Sequence, residues 1–502
     1  MKRLLPLLLC VPAFACADIH YTLEPMTAAK SVRVAVTMDS SGVKEVFRIP
    51  AWTPGMYELM KYQEKVSDVK AANPDGGVLT VTPTLDKRGW EVANPTGKPI
   101  TVSYRVLGDD PGLGFFGVNV NDKQAYVNGA AAFMYVDGHL TDKTTLALKL
   151  PIGWDVATAM EPGSGGWKAD GYDEFIDHPL QLGEFTRKRF TVEGVPFEAI
   201  FVAPDGQIRC NPDVEAERLR KLSIPTMKMF HGSAFKKYLY IIHLSIGNFS
   251  GGLEHRACNV QAVSNVKPLN LDELAVHEYV HAWNVKQIRP KVLGPFDYTK
   301  ECRTGNLWFA EGVTDYYGTM HTYASGVLDE AWLLGALGQQ VSDLEHGKTR
   351  LTKTVEDSSR ETWDNGGFGV GDLSYYTKGL LIGWIFDAEI RSLTHGAKSL
   401  DDVMRLLYAR CKLPNPGYDE DGLMATINEV AGKDLSGLYR DMVRSTKGLP
   451  YGLLKDLGML VITPGQEIPG GNGAKADQFM VVKDPDASAK VSQLRSAWLK
   501  RP

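Results

Sequence analysis

The chain has 502 residues, 44% hydrophobic and 23% charged, which is enough apolar material for a full core and excludes a disordered polypeptide. The 55 Lys and Arg against 60 Asp and Glu leave a net charge of −5, a balance that gives no reason to expect nucleic acid or an anionic membrane as partner. At this length the chain divides into roughly two to four domains.

Residues 1–17 read as a signal peptide. Lys2 and Arg3 make a basic start, an apolar run follows from Leu4 to Phe14, and Ala15-Cys16-Ala17 offers a small-residue cleavage site before Asp18. The run is too short to span a bilayer. The expectation is export to the periplasm or the medium, with lipid anchoring at Cys16 as the lesser alternative, because Ala13 stands where a lipoprotein usually has Leu. No later stretch reads as a membrane helix. Export leaves Cys210, Cys258, Cys302 and Cys411, which suit either two disulfides or four buried thiols.

Residues 18–194 read as a β domain. Short alternating runs such as Ser31–Met38, 77–83 and 100–106 recur between Gly, Pro, Asn and Asp turns, the pattern of an antiparallel sandwich. After that the character changes. Runs at 197–202 and 238–244 read as strands, and Asn211-Pro212 opens a helix over 213–229. Helical patterns follow at 271–285, 308–324, 327–345, 374–393 and 399–411. The fold class is therefore α+β and multidomain, with a mainly helical domain over 195–452 and a short tail over 453–502, loop-like at 463–475.

The chemistry centres on His277-Glu278-Tyr279-Val280-His281. Residues four apart share a helix face, so both imidazoles can reach one metal ion, and Glu278 beside the first can take a proton from the attacking water. Asn270 with Glu273 reads as a capping box that starts this helix. Catalytic zinc takes three protein ligands, and the candidate third is Glu311, thirty residues beyond His281 in an apolar helical stretch. Asp315, four residues on, shares its face and can fix the tautomer of a ligating histidine. His139, His178, His231, His243 and His321 show no ligand spacing. His243, within an apolar run, reads as a core histidine, and Lys378 and Arg289 as structural or surface charges.

The stretch HEYVHAWNVKQIRP (277–290) resembles the zinc helix of the glycyl aminopeptidase family of metallopeptidases, and FAEGVTDYYG (309–318) its glutamate-ligand segment. SYYTKG (374–379), GGLEH (251–255) and WTPGMY (52–57) are further matches, in the family's order. The resemblance implies a thermolysin-like catalytic domain behind an N-terminal β domain, one Zn²⁺ per chain, and removal of small N-terminal residues such as Gly and Ala from peptides. It implies that Tyr376 stabilises the oxyanion, with the adjacent Tyr375 as the alternative, and that Glu254, beside Gly251 and Gly252, pairs with the substrate amine. Glycines there let the strand backbone approach the peptide. Members typically carry a PDZ domain after the catalytic domain, but only about 50 residues follow Pro450. Other functions to weigh are a zinc endopeptidase with the same centre and a non-catalytic peptide-binding or folding factor.

Overall fold

A computed structural model describes residues 18–500 apart from 41, 111–112 and 246–249. The expected signal peptide and Cys16 lie outside the described residues.

The first unit is built from three sheets around one core. Ser31–Met38 runs through the eight-stranded sheet between Ile19–Met26 and Ile100–Leu107, antiparallel to both. Its Val32, Val34, Val36 and Met38 are buried, the period-two face that the sequence pattern demands. Pairing is antiparallel throughout this unit except for Ile19–Met26 with Thr144–Leu148, among the described residues. The single run expected at 77–83 is two strands: Val78–Leu79 edges the large sheet, and Val81–Pro83 joins a smaller one with Gly89–Ala93 and Lys44–Arg48. Two short helices, Gly129–Ala132 and Tyr172–Ile176, interrupt the strands.

The second unit begins with a five-stranded sheet, ordered Thr186–Val192, Val195–Val202, Tyr238–Ser245, Cys258–Ser264, Gly251–Glu254. The three middle strands are parallel and the outer two antiparallel to them. The domain boundary expected at 194 therefore falls inside a hairpin of this sheet, and Thr186–Val192 belongs to the second unit. Asn211 caps Pro212–Met229, as its sequence suggests, by accepting the Asp213 amide. Later helices run over Glu330–His346, Tyr375–Leu393 and Leu400–Cys411, capped by Asp329, Ser374 and Ser399. No described helix is long and apolar enough to cross a membrane. Among the described residues the four cysteines, Cys210, Cys258, Cys302 and Cys411, are free and buried, which removes the disulfide alternative.

The segment after 453 is more than a tail. Met459–Ile462 and Met480–Lys483 pair around the expected loop, and Ala489–Leu499 forms a helix whose Trp498 is fully buried. The Trp498 indole donates to the Tyr316 hydroxyl at 2.9 Å and stacks on Trp384, which anchors the chain end in the catalytic core.

The two units interlock. Ala51, Trp52 and Tyr57 sit in the core of the second unit, while Tyr298 sits in that of the first. The Ala51 amide donates to the Tyr298 carbonyl at 2.8 Å and the Trp52 indole to the Asp297 carbonyl at 3.0 Å.

Candidate active site

The first motif lies on Asp272–Val280, a helix shorter than the 271–285 pattern suggests. The expected capping box is absent: Leu271 is the N-cap with no side-chain bond, and the Glu273 carboxylate instead accepts from the Thr319 hydroxyl. Beyond Val280 the chain turns, with Val285 at φ 143°, a region that a β-branched residue enters only under strain. The turn brings the Asn284 carbonyl to 2.6 Å from Nδ1 of His281. The Asn284 amide is itself held by the Phe309 carbonyl at 2.9 Å and the Thr314 hydroxyl at 3.0 Å. The orienting partner of the second histidine is thus a backbone carbonyl that no residue pattern announces.

Glu311 sits in a π-helical turn, Trp308–Gly312, leading into the α-helix Val313–Ala324. π-turns inside helices mark functional sites. This turn presses on Tyr375–Leu393 through two glycines: a Cβ on Gly312 would stand 2.5 Å from Cα of Gly379, and one on Gly379 would overlap the Trp308 carbonyl. The two glycines of the FAEG and YTKG motifs therefore set how near Glu311 and Tyr376 come to the histidines.

Three donor atoms converge. Nε2 of His277 and Nε2 of His281 are 2.9 Å apart, and Oε2 of Glu311 lies 3.1 Å from the second and 3.6 Å from the first. Donors bound tetrahedrally to one zinc at ~2.0–2.1 Å stand about 3.3 Å from one another, and these three edges bracket that value. Oδ1 of Asp315 is 2.6 Å from Nδ1 of His277, the placement expected for a carboxylate that orients a ligating histidine. Glu254, Glu278 and His281 also bring one donor each within reach of a common point, but only the first triad holds both imidazoles. The electrostatics suit a cation. Burial opposes charge on Glu311, yet His281 and His277 hold its carboxyl well below the usual range. Burial likewise opposes charge on His277, and Asp315 overrides it to raise the imidazole.

Glu278 is 4% exposed, and burial pushes its carboxyl up to about 7, the two imidazoles opposing and Glu254 and Glu311 adding. Its carboxylate fills the space where a side chain on Gly252 would be. Gly252, expected to let substrate approach, thus first makes room for this acid, while Gly251 opens the same edge strand, half-buried. Glu254 ends that strand, buried, with Nζ of Lys286 3.6 Å from its Oε1. Lys286 also meets Oδ1 of Asp177 at 3.0 Å, and His255 meets the same oxygen at 3.0 Å. This buried cation beside Glu254 was not apparent from the sequence.

Of the two tyrosines, Tyr375 donates to the Gly367 carbonyl at 2.5 Å and is buried, whereas the half-buried Tyr376 ring faces His277 at 6.0 Å between centroids. The geometry brings Tyr376, not Tyr375, to the triad. Tyr57, from the first unit, donates to Oε1 of Glu311 at 2.8 Å. Its segment matched a family motif, but nothing in its spacing linked it to a residue so far along the chain. Lys378 is not a surface charge: it is buried, and burial with Arg350 nearby pushes its amine down to about 8. His243 is a core histidine, bonded to Gln181 at 3.0 Å.

Residues 270–382 match the M61 glycyl aminopeptidase family, and residues 20–184 match the peptidase M61 N-terminal domain. The chain belongs to the M61 family. It is a metallopeptidase. Among solved structures it is similar to an aminopeptidase N family protein from Idiomarina loihiensis, at 26% identity and a TM-score of 0.81, over 92% of this chain and 82% of that one. It shares its fold with an M1 zinc metallopeptidase from Deinococcus radiodurans, at 14% identity and a TM-score of 0.53, over 86% of this chain and 94% of that one. A two-domain M1 zinc metallopeptidase mutant bound to L-arginine is similar at 14% identity and a TM-score of 0.52, over 86% and 93%. No curated protein matches the sequence.

Proposed function

We propose that this M61 peptidase is a zinc-dependent aminopeptidase that removes small N-terminal residues from peptides. The observation that carries the reading is the convergence of His277, His281 and Glu311 beside the buried carboxyl of Glu278. These three residues hold the ion, one per chain. When bound, zinc supplies Lewis-acid polarisation of the scissile carbonyl and makes water a nucleophile near neutral pH.

Glu278 takes a proton from the water as its oxygen bonds to the carbonyl carbon, and passes that proton to the nitrogen as the C–N bond breaks. Its elevated affinity for a proton suits both halves of that transfer. Burial keeps the Tyr376 phenol protonated, so it donates to the carbonyl oxygen as charge builds there. Asp315 and the Asn284 carbonyl keep the two imidazoles aimed. Gly251–Glu254 is the outer strand of its sheet, so its free edge suits an extended peptide. Glu254 receives the free α-amine at the end of that strand.

Preference for small residues draws on the wall next to Glu254. Gly55 lies so close that a Cβ there would stand 2.5 Å from Oε2 of Glu254, so the first unit forms one wall around this carboxylate. The leader-like residues 1–17 make export part of the proposal, checked by cell fractionation.

One observation favours a second reading. Lys286 already compensates Glu254, and a substrate amine would have to share that carboxylate with it. An endopeptidase has no such conflict. Hydrolysis of matched free and N-acetylated peptides separates the two: the aminopeptidase reading expects the acetylated peptide to be resistant, and equal rates would overturn it. The chemistry itself is tested with Glu278→Gln, expected to keep its zinc and lose turnover. Normal turnover in that variant would remove Glu278 from the mechanism.

A further inference from the structure

Glu311 has two carboxylate oxygens, and they face different partners. Oε2 looks toward the imidazoles, 3.1 Å from Nε2 of His281. Oε1 points away and accepts the Tyr57 hydroxyl at 2.8 Å. A buried carboxylate that ligates through one oxygen leaves the other in need of a donor. The phenol that provides it comes from the other unit of the molecule.

Its placement is strongly determined. Trp52 and Tyr57 are buried in the catalytic core, and the Tyr57 ring meets Trp363 edge-on at 5.9 Å and Tyr375 at 6.4 Å. Gly55 makes the turn between them at φ 96°, a conformation that favours glycine, with Glu254 directly against it. The neighbouring Tyr375 is satisfied by a backbone carbonyl, so the aromatic cluster as such does not require a bond to Glu311.

We propose that Tyr57 is a positioning residue of the metal centre: by engaging Oε1 of Glu311 it presents Oε2 as the ligand atom, and it makes the N-terminal β unit a working part of the metal site. The proposal rests on the metal reading given above and goes beyond it by assigning a residue outside the catalytic unit.

The test uses the full chain, stripped of metal and titrated with zinc against a chromogenic chelator. Tyr57→Phe keeps the ring and removes the donor. Zinc is expected to bind it ~10–100-fold more weakly, the range for losing an outer partner of a ligand, with the melting temperature of the metal-free protein close to wild type. Tyr375→Phe, the same change in the adjacent ring, is expected to keep wild-type zinc affinity. Wild-type affinity in Tyr57→Phe, or an equal loss in both variants, would overturn the proposal. Glu311→Gln separates this from the parent reading: if that variant binds zinc as wild type does, the metal assignment itself fails and Tyr57 has no role in it.

Discussion

Three buried tyrosines of the β unit and three in the catalytic core end on different kinds of partner. In the β unit the hydroxyls of Tyr21, Tyr104 and Tyr172 donate to the backbone carbonyls of Met134, Ala132 and Phe133. In the catalytic unit Tyr316 and Tyr317 donate to the carboxylates of Asp387 and Asp401, and Tyr57 crosses over to reach Glu311. The first three close main-chain hydrogen bonds and the second three steady buried acids, while Tyr298 in the first core reaches the Asp173 carboxylate and Tyr375 in the second a backbone carbonyl. A polar group in the first core is a matter of stability, since an unmet carbonyl is simply costly. In the second it also fixes charges whose positions decide chemistry.

Breaking the catalytic side should cost rate. The largest effect is expected from Gly252→Ala, because the new methyl group overlaps the Glu278 carboxylate and displaces the base. Turnover should fall by ~10²–10⁴-fold, the contribution of a positioned general base, with zinc content unchanged. Steady-state kinetics with metal analysis on the same sample checks this. Next is Tyr376→Phe, expected to lower kcat by ~10²–10³-fold with little change in KM, as for an oxyanion donor. Tyr375→Phe removes a bond to Gly367 and should spare kcat.

Breaking a tyrosine bond inside the β core should cost stability alone. The Tyr104 hydroxyl donates to the Ala132 carbonyl and accepts from the Met134 amide. Tyr104→Phe loses both and should lower unfolding free energy by about 2 kcal/mol, read from urea titration, with kcat unchanged. A further effect, with one histidine in each unit, is read through pH. Burial pushes His178 and His243 down to about 3, so the folded chain excludes protons that the unfolded chain binds below about 6.5. Their stabilising contribution is complete above about pH 6.5 and is lost progressively as pH falls toward 3. At pH 5.5 each histidine accounts for roughly 1 kcal/mol of lost stability, so unfolding midpoints should drop between pH 7.5 and 5.5, less steeply in His243→Gln.

The comparison also explains which features were legible in the sequence. Ser31–Met38 declares its buried face by alternation, and helix caps such as Asn211, Ser374 and Ser399 announce themselves locally. The convergence of the candidate triad was readable because four-residue spacing brings His277 and His281 onto one helix face, and Asp315 onto the face of Glu311. Asn270 with Glu273 matched a capping box, yet the Thr319 hydroxyl from a neighbouring helix took the glutamate instead. The Lys286–Glu254 and Tyr57–Glu311 pairs depend on how strands and units stack. Such contacts leave no period in the sequence.

The proposed chemistry needs His277, His281 and Glu311 to meet at one ion, and diffraction from zinc-loaded crystals at the zinc absorption edge tests this most directly. It predicts a single anomalous peak bonded to Nε2 of His277, Nε2 of His281 and Oε2 of Glu311, at about 2.0–2.2 Å from each. A peak held instead by Glu254, Glu278 and His281, or no peak in this cleft, would contradict it.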